Sequence, residues 1–458
     1  MEKIRNKKNN ISQVDMYNFI TSAYKEYGDQ VNKNRMMTLS IDGLKPVERR
    51  VLYSAYSIAK NKMVKSVQVD GYCLGHFHPH SMCYGTIVQM VKQGFLDGQG
   101  QFGSNIGTTP TGPAASRYTE CKLSEFTENM AFKLINYIPF IESEISADIK
   151  EPLYLPTKYP FCLISRTPTG GIGFGYASLI PCYKITDLKK RLLWLLKKRK
   201  TEPVIAPITD CDILSDDKTL KQLLTTGKAT LLYKGKYEID KVQSRIICKS
   251  LPPKISYHKI YEKLQKKFKD LAIIDLSCEE YGTHVVYYLD RVRNQSELFK
   301  NLIEEFDQLI SRNISFENNQ IKYNDSNNIN DMYLTCMSID EMLLTTFHKY
   351  EEIYNKMLDH QMNIRMDKIK NLKLLAQIKS VLPKYLKDKK LENDPEKLIK
   401  HISDDLKISL DILTKIFNKY TIMKLLKIKI DSDKLQQEID EFKNIKNNLR
   451  QHIIDKEY

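Results

Sequence analysis

The stretch from Asp97 to Glu120, DGQGQFGSNIGTTPTGPAASRYTE, constrains this chain more than any other. It holds five glycines and two prolines and shows neither helical nor strand periodicity. A segment so poor in apolar side chains builds no core; it forms a loop that a scaffold holds against something else. Tyr118, near its end, is thereby set apart from an ordinary packing tyrosine.

Arg117 gives that tyrosine a chemistry. A phenol is a poor nucleophile at neutral pH because its pKa is about 10, and a phosphodiester repels attack through its own negative charge. An adjacent guanidinium eases both problems. It favours the phenolate and offers planar N–H donors to phosphate oxygens as charge builds up. The alternative is that Tyr118 is one of 27 tyrosines and follows an arginine by accident.

The composition narrows the partner. Lys and Arg number 71 against 56 Asp and Glu, a net charge of +15 over 458 residues. Such an excess points to a polyanion, nucleic acid above all, although a Lys- and Asn-rich coding bias would raise it too. Nine cysteines, from Cys73 to Cys336 and without a C-x-x-C, argue against a disulfide framework and for a reducing, intracellular compartment. The N-terminal MEKIRNKKNN lacks the apolar run of a secretory signal, and no stretch is long and apolar enough to span a bilayer. The expected location is cytoplasmic, or wherever the DNA is held; the chain is not expected to be secreted.

Along the chain, Val14, Tyr17, Ile20 and Tyr24 recur at helical spacing and predict a helix packed on a neighbouring domain or subunit. Asp42-Gly43 signals a turn, Pro46 suits the first position of a helix, and Val47, Val51, Tyr53 to Ala55 and Ile58 give that helix a buried face. Arg49 and Arg50 then fall on its other side, with Lys45 at its start and Arg35 upstream; a solvated basic face would look the same, but four cations clustered around a helix start suggest phosphate contacts. A second helix is expected from about Ser81 to Lys92; two helices and a turn in a basic setting fit a helix-turn-helix or winged-helix unit. Between them, CLGHFHPHSMC places His76, His78 and His80 between Cys73 and Cys83. That spacing matches no standard Cys/His template and Pro79 interrupts it. Histidines that hydrogen-bond phosphate or orient the nucleophile are preferred over a metal site.

These residues add up to a resemblance. DGLKPVERRVLY (42–53), FHPH (77–80), YGTIVQM (84–90), DGQGQFGS (97–104), RYTE (117–120), EPLYLPTKYPFCL (151–163) and GGIGFGYASLIPCY (170–183) occur in the order seen in the A subunit of type IIA DNA topoisomerases. That polypeptide is the breakage-reunion subunit of gyrase and topoisomerase IV. Weaker likeness extends nearly to the C-terminus.

The resemblance implies roles. Tyr118 would attack a backbone phosphate and stay joined to the 5′ end of the cut strand, so that resealing is the reverse reaction. Arg117, with Arg35, His78 and His80, would stabilise the transition state or the leaving 3′ oxygen. Lys45, Arg49 and Arg50 would hold the gate DNA, and Ile172, set among four glycines, would wedge between base pairs and bend the duplex. The implied architecture is a multidomain α+β chain: a helical arm over 1–34, a winged-helix domain with the catalytic tyrosine over 35–150, an α+β tower over 151–330, and a coiled coil with a small C-gate dimerisation domain over 331–458.

In the tower, ATLLYKGKYEID and THVVYYLD read as strands and YHKIYEKLQKKF as a helix. The basic helix KKRLLWLLKKRK reads equally as DNA surface or as a solvated face. Beyond NDSNNINDMY the chain reads as helical throughout. Leu343, Phe347, Tyr350, Tyr354 and Met357 form one stripe, and Leu435, Ile439, Phe442, Ile445, Leu449 and Ile453 a second, with a compact helical insert between them after Pro383.

Some features depart from the family pattern. HPH is not followed by Gly-Asp, Ser81 keeps the serine that quinolones lean on while Gly85 stands where an acidic residue is usual, and the loop before Arg117 is longer. Weak quinolone poisoning is expected. If the sequence ends at Tyr458 without a wrapping domain, relaxation or decatenation is expected rather than supercoiling; the alternative is that a separate chain supplies that domain. No P-loop, nucleotide lid or convincing acidic pair is present, so Mg²⁺ and ATP are expected on a separate B subunit, with double-stranded DNA and an A2B2 assembly around a homodimer of this chain. Two rivals remain. A tyrosine recombinase needs an H-x-x-R element that is missing near Tyr118, and a non-catalytic DNA-binding coiled-coil protein leaves the glycine-rich loop unexplained.

Overall fold

The computed structural model describes residues 15–289, 295–324, 331–386, 395–427 and 432–458. Val14 of the first apolar stripe and most of the polar run NDSNNINDMY lie outside them. The chain divides into two compact units between Tyr350 and Glu351. It is a mixed α/β molecule with several small sheets. Among the described residues, no helix is long and apolar enough to cross a membrane.

In the first unit, helix α1 (Met16–Val31) starts at Asp15, whose carboxylate accepts from the Asn18 N–H at 3.0 Å. It leaves Tyr17, Ile20 and Tyr24 exposed. A short π-helical turn, Asn32–Met36, carries Arg35 and leads to strand β1 (Thr38–Leu39). That strand pairs in parallel with Asn319–Tyr323, nearly 300 positions away in sequence. Helix α2 (Pro46–Ile58) begins as expected: Pro46 needs no N–H partner in the first turn, and Glu48 reaches back to accept from the Lys45 N–H at 2.8 Å. Val51, Leu52 and Ala55 form its buried face.

The segment after α2 differs from expectation. Strand β2 (Val64–Lys65) leads directly into helix α3 (Ser66–His76), so most of what reads as a turn is helical. Helix α4 spans Tyr84–Gln93 and is closed by Gly94 in the left-handed conformation, φ +79°. Strands β3 (Leu96–Gln99) and β4 (Glu120–Leu123) pair antiparallel with Gln99 opposite Glu120, and β2 adds to the other edge of β4. Residues 100–119 are therefore the connection of a β-hairpin, far longer than its geometry needs.

The remaining sheets of this unit are antiparallel. Five strands run Thr169–Ile172, Ala177–Ile180, Ser311–Glu317, Lys228–Lys234 and Asp212–Ile213 in spatial order. Four others run Tyr237–Asp240, Arg245–Cys248, Val285–Leu289 and Leu271–Asp275. ATLLYKGKYEID thus supplies neighbouring strands to two different sheets. Ile260 and Leu264 of helix Tyr257–Gln265 and Phe299, Leu302 and Phe306 of helix Gln295–Leu309 form the four-stranded sheet's core with Ile246, Val285 and Tyr287.

The reading of everything beyond NDSNNINDMY as helical needs correction: a strand, Met332–Cys336, begins inside that run and continues past it, beside Asn319–Tyr323. A helix then spans Ile339–Tyr385 and runs two residues past Pro383. Leu343, Phe347 and Tyr350 are buried in the first unit, where Thr346 donates its hydroxyl to the Ile41 carbonyl at 2.9 Å. In the second unit, Tyr354 meets His452, Asp359 meets Lys446 and Arg365 meets Glu438, the order of an antiparallel helix pair. Ile439 and Ile453 of the second stripe are buried. A separate cluster of Ile378, Leu382, Leu398, Ile402, Leu413 and Leu425 closes the helical insert.

Candidate active site

The β3–β4 connection is fastened at both shoulders. Ser104 and Thr111 exchange backbone hydrogen bonds at 3.1 and 2.9 Å, and the Ala114 N–H reaches the Gln101 carbonyl at 2.9 Å. Gly103, at φ +82°, lies where a Cβ would strike the Thr111 carbonyl, so only glycine fits. The Tyr84 phenol, from α4, donates to the Ala114 carbonyl at 2.6 Å and lies 3.0 Å from the buried Thr119 hydroxyl, which donates to Ser66 at 2.8 Å. The Val67 N–H meets the Ser116 carbonyl at 3.2 Å. Tyr118 thus stands on a turn held by hydrogen bonds from α3 and α4.

Its side chain points outward, 63% exposed. The Arg117 guanidinium carbon lies 4.6 Å from the centre of the Tyr118 ring. Lying over the ring, the guanidinium keeps its N–H groups on the exposed side of the loop, where they can meet a phosphate.

A second group lies around α2 and α3. His78 is 8% exposed and its ring is 5.1 Å from that of His80. The Arg50 Nη1 approaches His78 Nδ1 at 3.3 Å. A guanidinium can only donate, so Nδ1 accepts and the neutral ring keeps its proton on Nε2. Burial first, then the charges of Arg50 and His80, push His78 down to about 4, and Arg35 adds to the effect. Its neutral form holds at physiological pH. His80, more exposed, has Nε2 4.0 Å from Glu144. Among the described residues, no hydrogen bond or ring contact joins Arg35, His78 and His80 to the Tyr118–Arg117 pair.

Arg49 and Arg50 correct the sequence reading, which put them on the solvent side of α2. They are 8% and 7% exposed. Arg49 holds the fully buried Asp42 through Nε at 2.6 Å and Nη2 at 3.1 Å, and Asp42 also accepts from the Leu44 and Leu155 N–H groups. Arg50 grips Glu151 at 2.7 and 2.9 Å and Glu144 at 2.9 Å. Charges taken out of water need such partners, so neither guanidinium is available to a phosphate. Arg191, inside the basic helix, is likewise fully buried and bound to Asp340 and Glu202.

Lys45 and Ile172 belong together. The Lys45 Nζ donates to the Gly170 carbonyl at 2.7 Å and ties the start of α2 to the hairpin Thr169–Ile172/Ala177–Ile180. Ile172, at the end of the first strand of that hairpin, is 82% exposed. Asn32 clasps the hairpin tip, donating to the Phe174 carbonyl and accepting from its N–H. Glu144 and Glu151, which hold Arg50, were not singled out from the sequence. A carboxylate inside the apolar EPLYL was the available signal for Glu151.

The cysteines and histidines between α2 and α4 do not converge. Cys73 and Cys83 face each other with sulfurs 3.6 Å apart, while His76 stacks on Tyr72. Among the described residues, no group of three or more His, Cys, Asp or Glu side chains is placed to hold a metal ion.

The family model for the A subunit of DNA gyrase/topoisomerase IV matches residues 35–457. The chain belongs to that family. It is 30% identical over 305 residues to the DNA topoisomerase 4 A subunit of Neisseria gonorrhoeae, covering 60% of this chain and 38% of that protein. To the DNA gyrase A subunit of the same organism it is 28% identical over 318 residues, covering 63% and 34%. The DNA gyrase A subunit of Mycolicibacterium smegmatis is 27% identical over 326 residues, covering 64% and 38%. The chain's matches thus cover little more than a third of these relatives' length, and residues 35–457 include every residue placed in the site above except Asn32.

Proposed function

We propose that this chain is the breakage-reunion subunit of a type IIA DNA topoisomerase, with Tyr118 as its nucleophile. The observation that carries the reading is the exposed Tyr118 phenol, with Arg117 on its ring, on a turn fastened by Tyr84 and Val67. The Tyr118 oxygen attacks the phosphorus, its proton departs to solvent or a neighbouring base, and the P–O3′ bond breaks. The 3′ oxygen leaves and takes up a proton, and the 5′ phosphate stays on the tyrosine. Nothing is hydrolysed, so the same steps in reverse reseal the strand. Arg117 and Arg35 stabilise the charge that collects on the phosphate oxygens, and neutral His78 offers an Nε2–H donor, with His80 beside it.

In this reading α2 to α4 with β2–β4 act as the winged-helix unit that docks on the gate DNA, and the two larger antiparallel sheets form the tower beside it. Lys45 acts by steadying the hairpin that carries Ile172, which enters the duplex as an apolar wedge. The second unit serves as coiled coil and C-gate of a homodimer, since a double-strand break needs two tyrosines. Mg²⁺ and ATP are held by a separate B subunit, giving an A2B2 assembly that relaxes or decatenates DNA in the cytoplasm.

The test is plasmid cleavage by the full chain with a cognate B subunit, Mg²⁺ and ATP, trapped with detergent. Linear, protein-linked DNA is expected from the wild type and none from Tyr118→Phe. Undiminished linear product from the variant would remove Tyr118 from the chemistry.

A further inference from the structure

The tip of the β3–β4 connection leans on a carboxylate from another sheet. Asp275 ends the strand Leu271–Asp275, an edge of the four-stranded sheet. Its two oxygens divide their work. Oδ1 accepts from the Ser277 N–H of its own turn at 3.0 Å. Oδ2 accepts from both the Thr108 N–H at 2.6 Å and the Thr108 hydroxyl at 2.7 Å, 167 positions away in sequence. Gly107 makes the approach possible: at φ +80°, its missing Cβ would fall on the Asp275 carboxylate. Although partial burial works the other way, hydrogen bonds from Ser277 and Thr108 hold the Asp275 carboxyl down to about 2, so it remains an anion at working pH.

The connection has little apolar anchorage of its own. Phe102 is buried at its start, and from Gly103 to Tyr118 the side chains are small, polar or exposed apart from Ile106. The Ser104–Thr111 bridge makes the tip a closed unit, and Ala114 to Thr119 are fixed against α3 and α4. The short strip Pro110 to Pro113, with two prolines, is the covalent link between that tip and the stretch that carries Tyr118.

We propose that Asp275 is a positioning residue for DNA cleavage, holding the Tyr118 loop through Thr108 and coupling it to the four-stranded sheet. The inference rests on the assignment of Tyr118 as nucleophile. Asp275 touches neither substrate nor reacting atoms in this scheme; it reduces the orientations that the loop samples before attack.

The experiment compares the full-length wild type with Asp275→Ala, Gly107→Ala, Thr108→Val and Thr108→Ser. Each is assayed for DNA affinity, for detergent-trapped cleavage with Mg²⁺ and a cognate B subunit, and for amide exchange over residues 103–111. Asp275→Ala is expected to speed exchange at Thr108 about tenfold or more, because the N–H loses its acceptor. It is also expected to lower cleavage about tenfold at unchanged DNA affinity. Gly107→Ala should do the same from the loop side, Thr108→Val should fall between, and Thr108→Ser, which keeps both donors, should match the wild type. Wild-type cleavage by Asp275→Ala would overturn the proposal, as would equal losses in Thr108→Ser and Thr108→Val, or a cleavage loss matched by a loss of DNA affinity. Covalent linkage surviving in Tyr118→Phe would instead sink the assignment of the nucleophile, while the exchange measurement would still report on the tether.

Discussion

Arg117 and Arg50 are the same side chain in opposite settings. Arg117 is exposed beside the Tyr118 ring on a loop without a core, and its donors are free to meet an incoming anion. All three nitrogens of Arg50 are engaged by Glu151, Glu144 and His78, and although burial works to lower its pKa, the paired carboxylates raise it. The first is available for chemistry and the second is a structural tie that sets the tautomer of a histidine. Net charge counts both alike. Of the cations that the sequence offers to DNA, Arg49, Arg50 and Arg191 are neutralised from within, and the polyanion surface has to be built from others.

The comparison is sharpened first by removing the buried ties. Arg50→Met leaves Glu151 buried without its cation and is expected to cost about 3–5 kcal/mol of stability. Arg49→Met, which strands Asp42, should cost a similar amount; urea denaturation measures both. A loss under about 1 kcal/mol would mean that water reaches these sites.

Arg117→Ala should do the reverse. Cleavage falls about a hundredfold, as expected when a preorganised donor is removed, with stability unchanged within about 0.5 kcal/mol. Parallel losses in activity and stability would erase the distinction between the two arginines.

The pH dependence probes the Arg50–His78 contact. The folded chain holds His78 at about 4 against an ordinary 6.5. The unfolded chain therefore takes up a proton that the folded one refuses between those values. This contribution to stability is complete above pH 6.5 and is lost as the pH falls towards 4. His78→Gln should remove about 2 kcal/mol of the stability difference between about pH 7 and pH 5. An unchanged slope would show that His78 titrates normally.

The smallest effect is expected at Ile172. Its side chain has little to lose on folding, so Ile172→Ala should leave stability within about 0.5 kcal/mol of wild type. The bend it gives to a fluorescently end-labelled duplex should decrease. Full bending by the variant would return Ile172 to an ordinary surface position.

What could be read from the sequence was local. Pro46 and the spacing of Val51 and Ala55 marked α2, and the glycines and prolines marked the loop that carries Tyr118. What could not be read joins distant segments. Glu144 and Glu151 lie 94 and 101 positions from Arg50, Asp340 lies 149 from Arg191, and β1 pairs with a strand near the end of the first unit. A helical projection shows that Arg49 and Arg50 leave the apolar stripe; it cannot show that a second layer waits on that side with carboxylates. The strand Met332–Cys336 was missed for a related reason, because its pairing with Asn319–Tyr323 decides its conformation more than its own composition does.

The central claim is that the broken strand is held by one particular oxygen. The most direct measurement is digestion of the detergent-trapped complex, formed with Mg²⁺ and a cognate B subunit, followed by mass spectrometry of the nucleotide-bearing peptide. The account predicts a 5′-phosphate ester on Tyr118. A nucleotide on any other residue, or on a 3′ phosphate, would contradict it.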